Sequence, residues 1–213
     1  MNTLLGKKIL VTGGAGFIGS FVVSELLKED VSKVVIFDNF SRGSNAYIEE
    51  QLKDPRCSFV QGDLREIDVL NAAMNKCNYV VHLAAMWLLH CKDFPRTAFD
   101  VNIQGTFNVL EACVKNNIER LVYSSSASVY GDAVNVPMTE DHLLKQPSVR
   151  AYHDDYPICH TQTYRHHIEL FPQTNLAEHS CDIVGIERKC RGYCRTETQR
   201  IRRIEMAIFF GPY

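Results

Sequence analysis

One segment limits the folds open to this chain more than any other: the run Lys8-Ile9-Leu10-Val11-Thr12, followed at once by Gly13-Gly14-Ala15-Gly16-Phe17-Ile18-Gly19. The first five residues suit a strand buried on both faces, and from Phe17 onward apolar residues recur with helical spacing. A chain that leaves a strand and enters a helix so abruptly needs glycine at the turn. Gly13 permits the tight turn, Gly16 lets the backbone come close to a bound group, and Gly19 lets the helix pack closely. The helix start supplies amide donors and a positive dipole end, which is a site for an anion.

The same alternation continues to about residue 125. Strands are predicted from Lys8 to Thr12, Lys33 to Asp38, Ser58 to Gln61, Tyr79 to Leu83 and Arg120 to Ser125. Between them the spacing predicts helices from Phe17 to Glu29, Asn45 to Lys53 and Glu66 to Lys76, and a long one from Phe94 to Asn117. In the long helix Val101, Gly105, Val109, Ala112 and Cys113 follow one face, while Phe99, Ile103, Phe107, Leu110 and Val114 follow another, so it needs two partners. Short buried strands separated by helices define a parallel sheet with helices on both faces. Right-handed crossovers give an α/β, doubly wound parallel sheet of order 3-2-1-4-5, with its crevice at the carboxyl ends of strands one and four.

Asp38 stands at the end of the second strand, 19 residues after Gly19. A carboxylate there can accept both hydroxyls of a ribose whose diphosphate lies on the helix start, and it repels a 2′-phosphate. The cofactor expected is therefore NAD. Arg42, in Asn39-Phe40-Ser41-Arg42-Gly43, is the residue that argues the other way, since a guanidinium can receive the extra phosphate of NADP.

Composition narrows the partners. A net charge of -2, with 46% hydrophobic and 23% charged residues, gives no cause to invoke nucleic acid or a membrane surface, and no stretch approaches the ~20 apolar residues of a membrane span. The apolar run at Ile9 is too short for a signal sequence, so the expectation is a cytoplasmic protein acting on a small molecule. Cys57, Cys77, Cys91 and Cys113 sit singly in apolar segments and are read as buried thiols.

Six stretches in order resemble the extended short-chain dehydrogenase/reductases of the NAD-dependent epimerase/dehydratase family, nearest to the UDP-sugar (UDP-glucose) 4-epimerases. They are the glycine segment, Asp38-Asn39, Gly62-Asp63-Leu64, His82-Leu83-Ala84-Ala85, Val101 to Thr106, and Tyr123 to Gly131. The resemblance implies an NAD-binding Rossmann domain over residues 1–148, with Phe17 and Ile18 over the pyrophosphate. It places Asp38, Asn39, Phe40, Ser41, Arg42 and Gly43 along the adenosine ribose and Asp63 and Leu64 beside adenine. Leu83, Ala84, Ala85, Met86 and Trp87 would line the nicotinamide side, Asn102 would help fix the cofactor, and Ser126 would be the active-site hydroxyl. Local readings stand beside these: Asp63 as a cap on the following helix, Asn102 as a helix-sheet junction, and His82 as a buried structural histidine. By family, the substrate is a nucleotide sugar such as a UDP-hexose and the assembly a homodimer; no metal is expected.

The resemblance also implies a Tyr-x-x-x-Lys pair about 25 residues after the serines, where tyrosine takes a proton from the sugar 4-hydroxyl. None of the nine tyrosines has lysine four residues on, and Tyr152 meets Tyr156. The segment from Arg150 to Tyr156 resembles the end of the family's following helix, and beyond it the sequence reading finds no likeness. Residues 1–148 hold nine lysines and five arginines, whereas 149–213 hold one lysine and eight arginines. Such a shift suits an atypical tail, disordered or read from an altered frame, with the substrate subdomain missing. A zinc module built on His179, Cys181, Cys190 and Cys194 has an uncommon spacing and is set aside. Two functional readings stand: an epimerase/dehydratase whose catalysis is impaired, and a non-catalytic NAD-binding remnant or mis-spliced product.

Overall fold

The computed structural model describes residues 4–124 and 180–184. Its strands are β1 (Lys8–Thr12), β2 (Lys33–Asp38), β3 (Cys57–Gln61), β4 (Tyr79–His82), β5 (Arg120–Ser124) and β6 (Ser180–Val184). The α-helices are α1 (Phe17–Lys28), α2 (Asn45–Ile48), α3 (Ile67–Met74), α4 (Leu88–Asp93), α5 (Pro95–Phe99) and α6 (Gly105–Lys115). All strand pairs are parallel and the order is β3-β2-β1-β4-β5-β6. The expected five-strand order is thus present, extended by β6 at the β5 edge.

Side chains alternate across the sheet, as strand geometry requires. Leu10, Val35, Phe37, Val80 and Leu121 join Leu70, Val109, Leu110 and Cys113 of α3 and α6 in one core. Ile9, Val11, Val34, Ile36 and Val81 join Val22, Val23 and Leu26 of α1 in the other. Each fully buried Leu, Ile or Phe is worth about 1.5–3 kcal/mol, so the two cores together lock the β1 register that aims the glycine turn. Cys57, Cys77, Cys91 and Cys113 are buried as thiols, and burial raises the Cys57 pKa to about 11.

The long helix expected from Phe94 to Asn117 is instead broken into three. α5 begins with Pro95 at its first turn, a wide π turn spans Asp100–Gln104, and α6 resumes at Gly105. The π turn carries Asn102, which is fully buried. A π turn inserts one residue and reaims the side chain there. The two-faced reading is also corrected in part. Leu110 belongs to the core, while Phe99, Phe107 and Val114 are exposed at 46%, 42% and 44%. The helix expected from Asn45 to Lys53 divides as well, into α2 and a 3-10 turn over Gln51–Lys53.

Candidate functional site

The glycine turn is clamped from both neighbouring strands. Gly13 has φ +71°, and its N–H donates to the Phe37 carbonyl of β2 at 2.8 Å. A Cβ on Gly13 would lie 2.7 Å from the Ala84 nitrogen after β4. A Cβ on Gly19 would lie 2.1 Å from the Gly13 carbonyl oxygen, so α1 packs directly onto the turn. Gly16 is the helix N-cap and offers no capping side chain. The amides of Phe17, Ile18 and Gly19 precede the first helical bond, Ser20 N–H to the Gly16 carbonyl, and no acid stands in the first turn. Uncapped first-turn amides of this kind can bind an anion. The side chains of Phe17 and Ile18 are exposed.

Asp38, at the carboxyl end of β2, is buried and ties two loops together. Its Oδ2 accepts from the Ala15 amide at 3.1 Å and its Oδ1 from the Phe40 amide at 2.8 Å. Phe40 is held at φ 59°, in the left-handed region that costs a non-glycine residue about 1–2 kcal/mol. Its ring lies 4.7 Å from Phe59. Gly43 is pressed against this junction, since a Cβ there would meet both the Ala15 carbonyl and Asp38 Oδ1 at 2.9 Å. Ser44 N–H donates to the Ala15 carbonyl at 3.0 Å.

Asn39 and Ser41 form the outer part of this loop, with Ser41 N–H donating to Asn39 Oδ1 at 2.9 Å. Asn39 Nδ2 donates to Asp63 Oδ2 at 2.9 Å. Asp63 in turn takes two side-chain hydrogen bonds from Arg65 at 2.8 Å. The Arg65 guanidinium therefore holds the Asp63 carboxyl at a pKa of about 2, below its ordinary 3.8, against the opposing effect of burial. Asp63 also closes a turn ahead of α3, with its N–H on Glu66 Oε2 and its carbonyl on the Glu66 amide; the helix N-cap is Glu66, without a side-chain cap, so the expected capping role of Asp63 is not seen. Leu64 is buried in the core with its side chain against Gly105.

On the β4 side, Leu83 and Ala84 are half-buried and packed against the two cores. Ala85 is exposed, Met86 is half-buried and Trp87 is exposed. Asn102 is spent on this loop: its Oδ1 accepts from the Met86 amide at 2.7 Å, and its Nδ2 donates to the Met86 carbonyl at 3.4 Å and to Cys91 Sγ at 3.7 Å. That is the junction geometry. His82 is fully buried, with Nδ1 2.6 Å from Thr12 Oγ1 and Nε2 3.2 Å from Thr106 Oγ1. Thr106 gives its proton to the Asn102 carbonyl, so its oxygen accepts from Nε2–H. Both ring nitrogens thus face buried threonine hydroxyls, which gives His82 a structural role. Ser126 lies outside the described residues, as do His179, Cys190 and Cys194; Cys181 falls in β6.

Thr12 and Thr106 are site-building residues that the sequence reading missed. The signal was incomplete: a threonine buried in a strand or helix needs a partner, but nothing in the sequence says which residue that partner is. Arg42 and Trp87, expected on opposite sides of the cofactor, meet directly, with the guanidinium carbon 4.4 Å from the indole centroid.

The NAD dependent epimerase/dehydratase family model matches residues 9–170, and the chain belongs to this family. The match runs to residue 170, past Tyr156, where the likeness legible in the sequence alone ends. A pea (Pisum sativum) bifunctional UDP-glucose 4-epimerase and UDP-xylose 4-epimerase is 37% identical over 148 residues, covering 65% of this chain and 42% of the relative. The chain thus spans about two fifths of the length of such curated relatives. Among solved structures, UDP-glucose 4-epimerase from Thermus thermophilus in complex with NAD superposes with a TM-score of 0.69 at 26% identity, covering 83% of this chain and 53% of that one. A UDP-N-acetylglucosamine 4-epimerase from Methanobrevibacter ruminantium gives 0.70 at 27% identity, covering 84% and 54%. Among the described residues no helix is long and apolar enough to cross a membrane.

Proposed function

We propose that residues 1–148 are the NAD cradle of a UDP-glucose 4-epimerase-like protein, with 149–213 a distinct region, and that turnover of a UDP-hexose is impaired. The observation that carries the cofactor reading is the uncapped start of α1 beside the buried carboxylate of Asp38. The amides of Phe17, Ile18 and Gly19 would hold the diphosphate, and Asp38 would accept the ribose hydroxyls with its remaining lone pairs. Asn39, Phe40, Ser41 and Gly43 would shape the ribose side, Asp63 and Leu64 the adenine side, and Leu83 to Trp87 the nicotinamide side. Asn102 would act through Met86, as a positioning residue.

Bound NAD supplies a hydride acceptor. Ser126 would hydrogen-bond the sugar oxygen, but a general base held near it by lysine is missing from the sequence, and acid-base catalysis contributes about 10²–10⁴-fold in rate. Calorimetry with NAD and NADP tests the cradle, and the expected result is binding of NAD in preference to NADP. A coupled UDP-galactose assay tests the impairment, and turnover at an ordinary enzymatic rate overturns it.

The composition shift after residue 148 and the absent Tyr-x-x-x-Lys favour a second reading, a non-catalytic NAD-binding remnant or mis-spliced product. Sequencing the transcript across codons 140 to 160 separates a normal gene product from a misjoined one. Cytoplasmic localisation is part of the proposal; the homodimer of the family is not carried over to this chain, because the Tyr-x-x-x-Lys segment that would supply the second interface helix is missing from the sequence. The exposed Phe99, Phe107 and Val114 are the surface that light scattering would report on, as monomer, dimer or aggregate.

A further inference from the structure

The contact between Arg42 and Trp87 joins two loops that the sheet keeps apart. Arg42 lies after β2 and Trp87 after β4, and β1 runs between those strands. Two strand spacings are about 10 Å, and the gap is bridged at the carboxyl end of β1, where the glycine turn leaves the sheet. The loop carrying Arg42 continues into α2, whose Ile48 is buried in the α1-side core. The loop carrying Trp87 runs into α4, α5 and the π turn, which lead to α6 on the opposite face. The contact therefore crosses the crevice from the α1 side to the α6 side.

Four further observations give this bridge a ligand. The α1 start, whose glycine turn packs against the Arg42 loop through Gly43 and Ser44 on the Ala15 carbonyl, has no capping side chain and no acid in its first turn. None of the ion pairs among the described residues involves Arg42. Asp38, the nearby carboxylate, is turned into the loop by the Ala15 and Phe40 amides. Finally, Trp87 is aimed by a buried anchor one residue away, because Asn102 fixes the Met86 amide at 2.7 Å.

We propose that Arg42 and Trp87 form a clasp across the crevice, in which the indole holds the guanidinium over the α1 N-terminus so that it pairs with the diphosphate of a bound dinucleotide. This rests on the cradle reading given above. A guanidinium held over an aromatic face keeps N–H donors for phosphate oxygens. The clasp also keeps Arg42 off the ribose side, so it supports discrimination against a 2′-phosphate, although arginine near that ribose argues the other way in sequence alone.

Trp87 is the only tryptophan in the chain, so its emission reports on the clasp without labelling. The full chain is titrated with NAD, NADP and ADP by calorimetry and by Trp87 fluorescence, alongside Arg42→Ala, Arg42→Lys, Trp87→Ala and the double alanine variant. Both side chains are exposed, so the variants are expected to keep the wild-type circular dichroism and melting profile. Expected are a change in Trp87 emission on adding NAD or ADP, and about tenfold weaker NAD binding in Arg42→Ala and in Trp87→Ala. The double variant should be no weaker than either single one, with Arg42→Lys between, since lysine keeps the charge and loses the fork. Discrimination against NADP should narrow in Trp87→Ala. Wild-type binding of NAD that both alanine variants leave unchanged overturns the clasp alone, as do additive losses in the double variant. No NAD binding by the wild-type chain overturns the cradle reading and the clasp together.

Discussion

On the β2 side of the crevice a buried carboxylate holds the loop backbone; on the β4 side a buried carboxamide does. Asp38 accepts two backbone N–H bonds, and an ionised carboxylate has about four acceptor positions, so it can still take ribose hydroxyls. Asn102 has both of its N–H donors occupied, by the Met86 carbonyl and Cys91 Sγ, and its oxygen occupied by the Met86 amide. On the proposed reading, Asp38 is both scaffold and ligand-facing. The other is scaffold only. What separates them is a formal charge that must stay near solvent against an amide that can be wholly enclosed.

The comparison breaks most severely at the turn both sides share. Gly19→Ala places a methyl 2.1 Å from the Gly13 carbonyl, a backbone clash that no rotamer relieves. Thermal unfolding should show a loss of about 3 kcal/mol or more, and a melting temperature equal to wild type would refute this packing. Asn102→Ala should come next, at about 2–3 kcal/mol, because it strands the Met86 amide and leaves a small cavity. Denaturant titration measures it, and Asn102→Asp tests whether the donors as well as the acceptor are needed.

Asp38→Asn sharpens the contrast from the other side. It keeps an acceptor for one backbone amide and removes the charge, so NAD should bind about tenfold more weakly while NADP loses the repulsion it meets in the wild type. Competition between the two cofactors in calorimetry reads the ratio directly. A variant that keeps full preference for NAD would move the origin of that preference away from Asp38.

The smallest effect concerns Asp63. Its pKa is lowered in the folded chain, to about 2 from 3.8, first by Arg65. Its contribution to stability is therefore complete above pH ~4 and is lost as the pH falls towards 2. The Arg65 side chain is 48% exposed, so solvent screening reduces the contribution to about 1 kcal/mol. Asp63→Asn should flatten the stability curve between pH 4 and pH 2, and an unchanged slope there would assign the acid sensitivity to other groups.

The β2 side was the more legible of the two in the sequence. The glycine spacing and Asp38 carry their meaning locally, because a tight turn and a strand-end carboxylate depend on neighbours within a few residues. The β4 side was not, since Asn102 works through Met86, sixteen residues away. The π turn that presents it interrupts a helical pattern whose apolar spacing continues through it. His82 was legible as structural from its setting in an apolar strand, but its threonine partners Thr12 and Thr106 were not, being distant in the chain.

By itself the sequence determined the parallel doubly wound sheet, the glycine turn and the family, because buried strands, helical spacing and left-handed backbone positions are written in short-range residue patterns. Tertiary structure alone decided that Leu110 is core while Phe107 stays exposed, that Leu64 packs on Gly105, and that Arg42 rests on Trp87. Each depends on which segments the sheet order brings side by side, and that is a property of long-range packing.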